Sequence, residues 1–209
     1  MNILHIDSSI LGDASVTRPL GRRLVERLLA ENPGANVTYR DLAADPIPHL
    51  SGAYLAAKSG AATDADFTAE IALGDAVIAE FLAADAIVIA SPMYNFSISS
   101  QLKAWIDRVC QAGVTFGYTA QGPVGLVADK PVYLVTGRGS AFVPGSPVDG
   151  MDFQTPYLKA VLGFVGITDV TVVHAEGLAL SPDARGTVVA AAEAAIDTLP
   201  LPAQALELA

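Results

Sequence analysis

The sequence predicts an α/β fold: a doubly wound, five-stranded parallel sheet of order 2-1-3-4-5 with helices on both faces. Three observations carry this. Five short apolar runs finish at polar or proline-containing turns, as buried parallel strands do. Helical stripes alternate with those runs, and such alternation implies right-handed crossovers into a parallel sheet. No Ser/Gly-rich or Pro-rich linker divides the 209 residues, so one domain, 1–209, is expected.

The first strand is expected at 2–7 (NILHID). A helix follows Thr17, read as its N-cap, with Pro19 in the first turn. Leu20, Leu24 and Leu28 recur at i+4, while Arg22, Arg23, Glu26 and Arg27 are expected to face water. Asn32-Pro33-Gly34 stops that helix, and 36–40 (NVTYR) reads as a weaker strand. Over 66–84, Ile71, Ile78, Phe81 and Leu82 make a second stripe, and 86–90 (AIVIA) is the third strand. Leu102, Trp105, Ile106, Val109 and Cys110 fall at i, i+3, i+4, i+7 and i+8 behind the capping candidates Ser99 and Ser100. The remaining elements are a strand at 131–136, a helix over 156–165 and a strand at 168–174. A last helix opens at Ser181-Pro182 and holds Val188, Ala192 and Ile196.

Composition excludes several classes. A net charge of -10 with 12 scattered Lys and Arg lacks the basic stripe that nucleic acid needs. The apolar fraction is 52%, yet charged residues interrupt every apolar run before the roughly 18 residues a membrane span requires. The N-terminal MNILHIDSS is not a secretory signal, so a cytoplasmic location is expected. Cys110 is the only cysteine and reads as a small buried hydrophobe. His5, His49 and His174 have no ligand-spaced partner, and neither HExxH nor GxSxG occurs, so neither a metal site nor a serine hydrolase is expected.

In doubly wound sheets ligands sit outside the carboxyl ends of the strands, at the switch point beside strands 1 and 3. Three loops lie there. After strand 1, Ser8, Ser9, Ser15 and Thr17 lead into a helix N-terminus, with Arg18 at the edge. Hydroxyls, backbone amides and the helix dipole together suit an anion, although a plain polar turn would look the same. The spacing is neither GxGxxG nor GxxxxGK[ST], which favours a monophosphate over a dinucleotide or triphosphate grip. After strand 3, Pro92-Met93-Tyr94-Asn95-Phe96 offers aromatics and an amide to a flat ligand, or else packs into the core. After strand 4, Gly137-Arg138-Gly139-Ser140 would let backbone amides approach a ligand, or would form a bland turn.

At this point a family resemblance becomes specific. PMYNFSIS, LKAWIDRV and AGVTFGYTAQGPVGL, with SSIL, RDLA, PIP, TPYL and GITDV, extend over almost the whole chain. They resemble the flavodoxin-like, FMN-dependent NADH azoreductases, which also reduce quinones. The resemblance implies that Ser9, Ser15, Val16 and Thr17 hold the FMN phosphate. It implies that Met93, Tyr94, Asn95 and Phe96 line the flavin ring, and that Gly137, Arg138, Gly139 and Ser140 hold its pyrimidine edge. Tyr118, in an excursion over 113–126, together with Phe142 and Phe164, would form substrate walls, Tyr118 reaching the other subunit of a homodimer. Hydride would pass from NADH or NADPH through FMN to quinone or azo acceptors by a ping-pong route, with no side chain as catalytic base. Relatives typically carry Ser-Arg-Gly-Gly where Gly137 to Ser140 stand, and many carry Arg in place of Gly117. A flavodoxin-type electron carrier, or a flavin-free binding protein, remains the alternative.

Overall fold

The computed structural model describes residues 1–202, so 203–209 of the expected domain lie outside the described residues. The order is β1 (Asn2–Asp7), α1 (Thr17–Glu31), β2 (Asn36–Asp41), α2 (Gly52–Lys58), α3 (Thr68–Ala83), β3 (Ala86–Pro92) and α4 (Ser100–Val109). It continues with β4 (Phe116–Thr119), β5 (Gly122–Gly125), β6 (Val132–Arg138), α5 (Thr155–Val165), β7 (Val170–Glu176) and α6 (Ala184–Thr198). The main sheet runs β2-β1-β3-β6-β7, and all of its pairs are parallel. This is the expected 2-1-3-4-5 order, with an antiparallel β4-β5 hairpin inserted before the fourth sheet strand.

Strand pleating divides the apolar residues between two layers. Leu4, Ile6, Ile87, Ile89 and Leu134 pack with Phe81, Leu102, Trp105 and Leu158, which puts α3, α4 and α5 on one face. Ile3, Val88 and Val135 pack with Leu20, Leu24, Leu28 and Ile196, which puts α1 and α6 on the other. Both faces of β3 and β6 are covered, and every residue of both strands is buried. Ser99 caps α4, its hydroxyl accepting the Leu102 amide at 3.2 Å.

Several local expectations are corrected. Thr17 is the first residue of α1 rather than its cap. Ser15, in extended conformation (φ -65°, ψ 142°), accepts the Arg18 amide at 3.2 Å instead, because a capping side chain must come from a residue just outside the helical conformation. Arg23 and Arg27 do not simply face water: Arg23 pairs with Asp197 at 2.7 Å, and Arg27 donates to the Ile196 and Leu199 carbonyls. Both therefore tie α1 to α6. On α3 the buried row is Gly74, Val77, Ile78 and Phe81. Leu82, one position beyond Phe81 and so about 100° further round the helix, is 42% exposed. Ser100 lies inside α4, and Ser181 forms the turn before α6, its carbonyl accepting the Ala184 amide. Cys110 is only partly buried. The short α2 and the hairpin lack the periodicity by which longer elements announce themselves. No helix among the described residues is long and apolar enough to cross a membrane.

Candidate functional site

The carboxyl ends of β1, β3 and β6 lie side by side, with Asp7 opposite Ala90 and Pro92 opposite Gly137. The three loops leaving them therefore meet. In the first, Ser9, Ser15 and Thr17 are all buried, and Ser15 Oγ lies 3.3 Å from Thr17 Oγ1. A 3-10 turn at Gly12–Ala14 precedes them. Val16, at the α1 N-cap, makes no side-chain capping bond, so helix amides remain for a ligand beyond the one that Ser15 takes.

Arg18 is committed elsewhere. Its guanidinium makes a two-pronged contact with Asp41 (2.5 and 2.7 Å) and donates to the Ser9 carbonyl at 2.9 Å. It stands 3.6 Å from Asp7. The hydrogen bond from Arg18 holds the Asp41 carboxyl below its ordinary range, outweighing the effect of burial. Tyr39 donates to Asp7 at 2.8 Å, and partial burial followed by that bond pushes the Tyr39 phenol up to about 12. Arg18 thus braces the turn from below and is already neutralised.

The second loop is a tight turn in which Tyr94 and Ser97 exchange backbone hydrogen bonds at 2.9 and 3.1 Å. Asn95 (φ 48°) and Phe96 (φ 72°) are the only non-glycine residues with positive φ among those described. Two left-handed central residues define a mirror-image turn. Asn adopts that conformation readily, but Phe does not, and strain of this kind marks sites where backbone direction matters. Tyr94 bridges to the first loop: its hydroxyl accepts the Ile10 amide at 3.2 Å and lies 3.4 Å from Ser9 Oγ. Met93 is partly buried, whereas Asn95 and Phe96 are exposed.

In the third loop Gly139 is exposed and Ser140 half-buried. The side chain of Arg138, by contrast, turns inward. It is 2% exposed and lies between Asp152 (2.9 Å) and Glu176 (3.1 Å). It also donates to Gln154 Oε1 at 3.2 Å and to the Thr155 hydroxyl. Glu176 accepts the Phe142 amide at 2.9 Å, and Gln154 donates to the Ser91 carbonyl at 2.8 Å. The guanidinium therefore supports the loop from behind. Neighbouring His174 meets Thr136 Oγ1 at 2.7 Å, and burial, then the charge of Arg138, pulls its imidazole below the usual range.

The expected substrate aromatics divide into two groups. Phe142 meets Phe96 edge-on at 6.5 Å between centroids, beside the aromatic turn. Phe164 instead packs on Phe116 at 4.5 Å, and Phe116 meets Tyr118 at 5.6 Å, on the hairpin. No ring contact joins the groups among the described residues. Tyr118 is 75% exposed. A cavity of about 520 Å³ adjoins Ser9, Arg18 and Asp41, and a groove of about 510 Å³ adjoins Ser97, Phe153 and Tyr157. Residues 93–96 line neither of them.

The sequence reading missed the Asp7–Tyr39–Asp41 cradle under Arg18 and the Gln154–Ser91 link. Asp41 ends β2, so the strand-end rule that singled out the other loops carried a signal for it. Nothing local marks Gln154, whose partner is 63 residues away.

A flat, phosphorylated cofactor matches this donor set. Neutral hydroxyls and helix amides suit a monophosphate, and an aromatic turn with close-approaching backbone suits a fused ring. Sheet order and site together define a flavodoxin-type α/β protein. The family described as having a flavodoxin-like fold matches residues 1–199, and the chain belongs to it. Among curated relatives it is 54% identical over 199 residues to an FMN-dependent NADH:quinone oxidoreductase of Ralstonia nicotianae, covering 94% of this chain and 95% of the relative. It is 53% identical over 194 residues to FMN-dependent NADH:quinone oxidoreductase 2 of Pseudomonas aeruginosa, covering 92% and 95%. Among solved structures, an azoreductase from Bacillus anthracis superposes with a TM-score of 0.83 at 25% identity, covering 94% and 96%.

Proposed function

We propose that the chain is an FMN-dependent oxidoreductase that draws reducing equivalents from NADH or NADPH and delivers them to quinones and aromatic azo compounds. The observation that carries this is the left-handed turn at Asn95 and Phe96, locked to the hydroxyl turn through Tyr94. This link supports a phosphate site and a ring site that would be held at a fixed separation. FMN, when bound, supplies the hydride-accepting and hydride-donating chemistry.

The chain's own residues bind and orient. Ser9, Ser15 and Thr17, with the amides opening α1 at Val16 and Thr17, would hold the phosphate. Met93 to Phe96 would line the ring, and the backbone of Gly137 to Ser140 would face its polar edge. Phe142 would wall the acceptor on the side of Phe96. Tyr118 and Phe164 sit on the hairpin group, so they serve this site only from a second copy of the chain. A homodimer working in the cytoplasm is therefore part of the proposal. Sedimentation showing a monomer would remove those two residues from the site.

The test is to supply purified protein with micromolar FMN and then mix it with NADH and a quinone. Flavin uptake and parallel double-reciprocal lines are expected. No uptake refutes the proposal, while uptake without NADH oxidation assigns the chain to one-electron carriage.

A further inference from the structure

Resting on the flavin reading, this inference concerns what aims the phosphate-turn hydroxyls. Gly137 is buried near the end of β6, paired with Pro92 on one side and Ala175 on the other. Its φ lies outside the left-handed region, so its backbone places no demand for glycine. The demand is for space. A Cβ on Gly137 would stand 2.8 Å from Thr17 Cγ2, with Leu178 Cδ1 next at 3.8 Å.

Thr17 is 1% exposed and sits in the first turn of α1, so its methyl has nowhere to retreat. The methyl and hydroxyl of threonine share one carbon, and a β-branched side chain on a helix has few rotamers. Seating the methyl against Gly137 therefore fixes where Oγ1 points, which is toward Ser15 Oγ at 3.3 Å. The Gly137 carbonyl also accepts the Met93 amide at 2.8 Å. One residue without a side chain thus touches both the hydroxyl turn and the entrance to the aromatic turn.

We propose that Thr17 and Gly137 form a matched steric pair that orients the Thr17 hydroxyl for the FMN phosphate, and that residue 137 must lack a Cβ while residue 17 carries a methyl. The pair accounts for glycine at a position where the resemblance leads one to expect serine. Gly137 and Thr17 act as positioning residues toward each other, and of the groups in their contact it is the Thr17 hydroxyl, beside the α1 amides, that would face the phosphate.

The test is a double-mutant cycle of wild type, G137A, T17S and G137A/T17S. FMN Kd is read by flavin fluorescence quenching and Tm on the apoprotein. G137A is expected to weaken FMN about tenfold and lower Tm, as overpacking a buried site by one carbon does. T17S keeps the hydroxyl but frees its rotamer, for a loss of about threefold. The double variant should bind within about threefold of T17S and recover Tm, a coupling between contacting residues. Wild-type affinity in G137A, or losses that multiply in the double variant, overturns the inference. A Tm cycle without a matching Kd cycle marks plain packing and also overturns it. If G137A does not fold, the double variant decides: folding and binding like T17S supports the pair, and anything else overturns it. Wild-type protein that takes up no FMN overturns the flavin reading itself.

Discussion

Replacing Arg138 with methionine keeps an unbranched apolar stem that reaches about as far as the arginine Nε and removes the guanidinium and its charge. The guanidinium is 2% exposed and faces two carboxylates, Asp152 and Glu176, whose side chains are 24% and 18% exposed. Removing one partner of a buried ion pair costs about 3–5 kcal/mol. Since both acids keep some contact with water, the low end, about 3 kcal/mol, is expected for R138M. That corresponds to about 6–12 °C in Tm for a domain of this size. The assay is thermal unfolding of the apoprotein at pH 7 and at about pH 3, below the ordinary carboxylate value of about 3.9. Burial pushes the Asp152 carboxyl up, but the Thr155 amide and the charge of Arg138 outweigh it and hold it below its ordinary value. A carboxylate depressed in the folded state contributes stability above its unfolded pKa, and that stability is lost as pH falls through the folded value. The R138M deficit should therefore be full at pH 7, nearly so down to the ordinary carboxylate value of about 3.9, and narrower at about pH 3. A deficit under about 1 kcal/mol, the worth of an exposed pair, or one equal at both pH values, would refute the reasoning. R138K should recover less than half, because an ammonium lacks the planar fork that reaches four partners.

Asn95→Gly should leave the apo Tm near that of wild type. Asn95→Ala should lower it by about 2–4 °C, since a left-handed residue with a Cβ and no local hydrogen bonding costs about 1 kcal/mol; equal melting temperatures would contradict the turn assignment. Asp129 is held down at about 2, first by the Thr168 hydroxyl and then by the Thr168 and Asp169 amides. The Tm gap between wild type and D129A should accordingly be constant above about pH 4 and fade toward pH 2, and a gap that persists in acid would count against that contact. FMN affinity should change by less than about threefold between 0.05 and 0.5 M NaCl, because the turn presents neutral donors to the phosphate. A tenfold weakening, read by fluorescence titration, would show that a free cation holds it.

Sheet order and the strand ends were legible because each depends on short-range pattern: runs such as AIVIA at 86–90 and stripes such as Leu102 to Cys110 state their own period. The three loops followed from that topology alone. What stayed hidden depends on partners far apart in the chain. Arg138 reads as a ligand-facing residue in a glycine-rich turn, yet its acids arrive from 152 and 176. Arg23 and Arg27 read as a solvated face until α6 returns across α1. The left-handed conformation of Phe96 had no marker either, since Asn-Phe is not a usual mirror-turn pair and tertiary contacts, including the Phe153 amide on the Phe96 carbonyl at 3.0 Å, hold it there.

The same division explains how a chain of net charge -10 can offer a place to an anionic cofactor. The two guanidiniums that brace these loops are paired before any ligand arrives: Arg18 is taken by Asp41 and Arg138 by Asp152 and Glu176. Each of these pairs is hydrogen-bonded to its loop and holds the loop's shape, Arg18 through the Ser9 carbonyl and Glu176 through the Phe142 amide. In the proposed site, hydroxyls, helix amides, an amide side chain and aromatic rings would face the ligand. Neutral donors do not need a counter-charge when the site is empty, so the three loops can keep their arrangement through repeated loading with different flat molecules. A site built on a free arginine would instead draw in its own acids, of which Asp7, Asp13 and Asp41 stand nearby. Committing Arg18 to Asp41 removes that competition and leaves recognition to geometry.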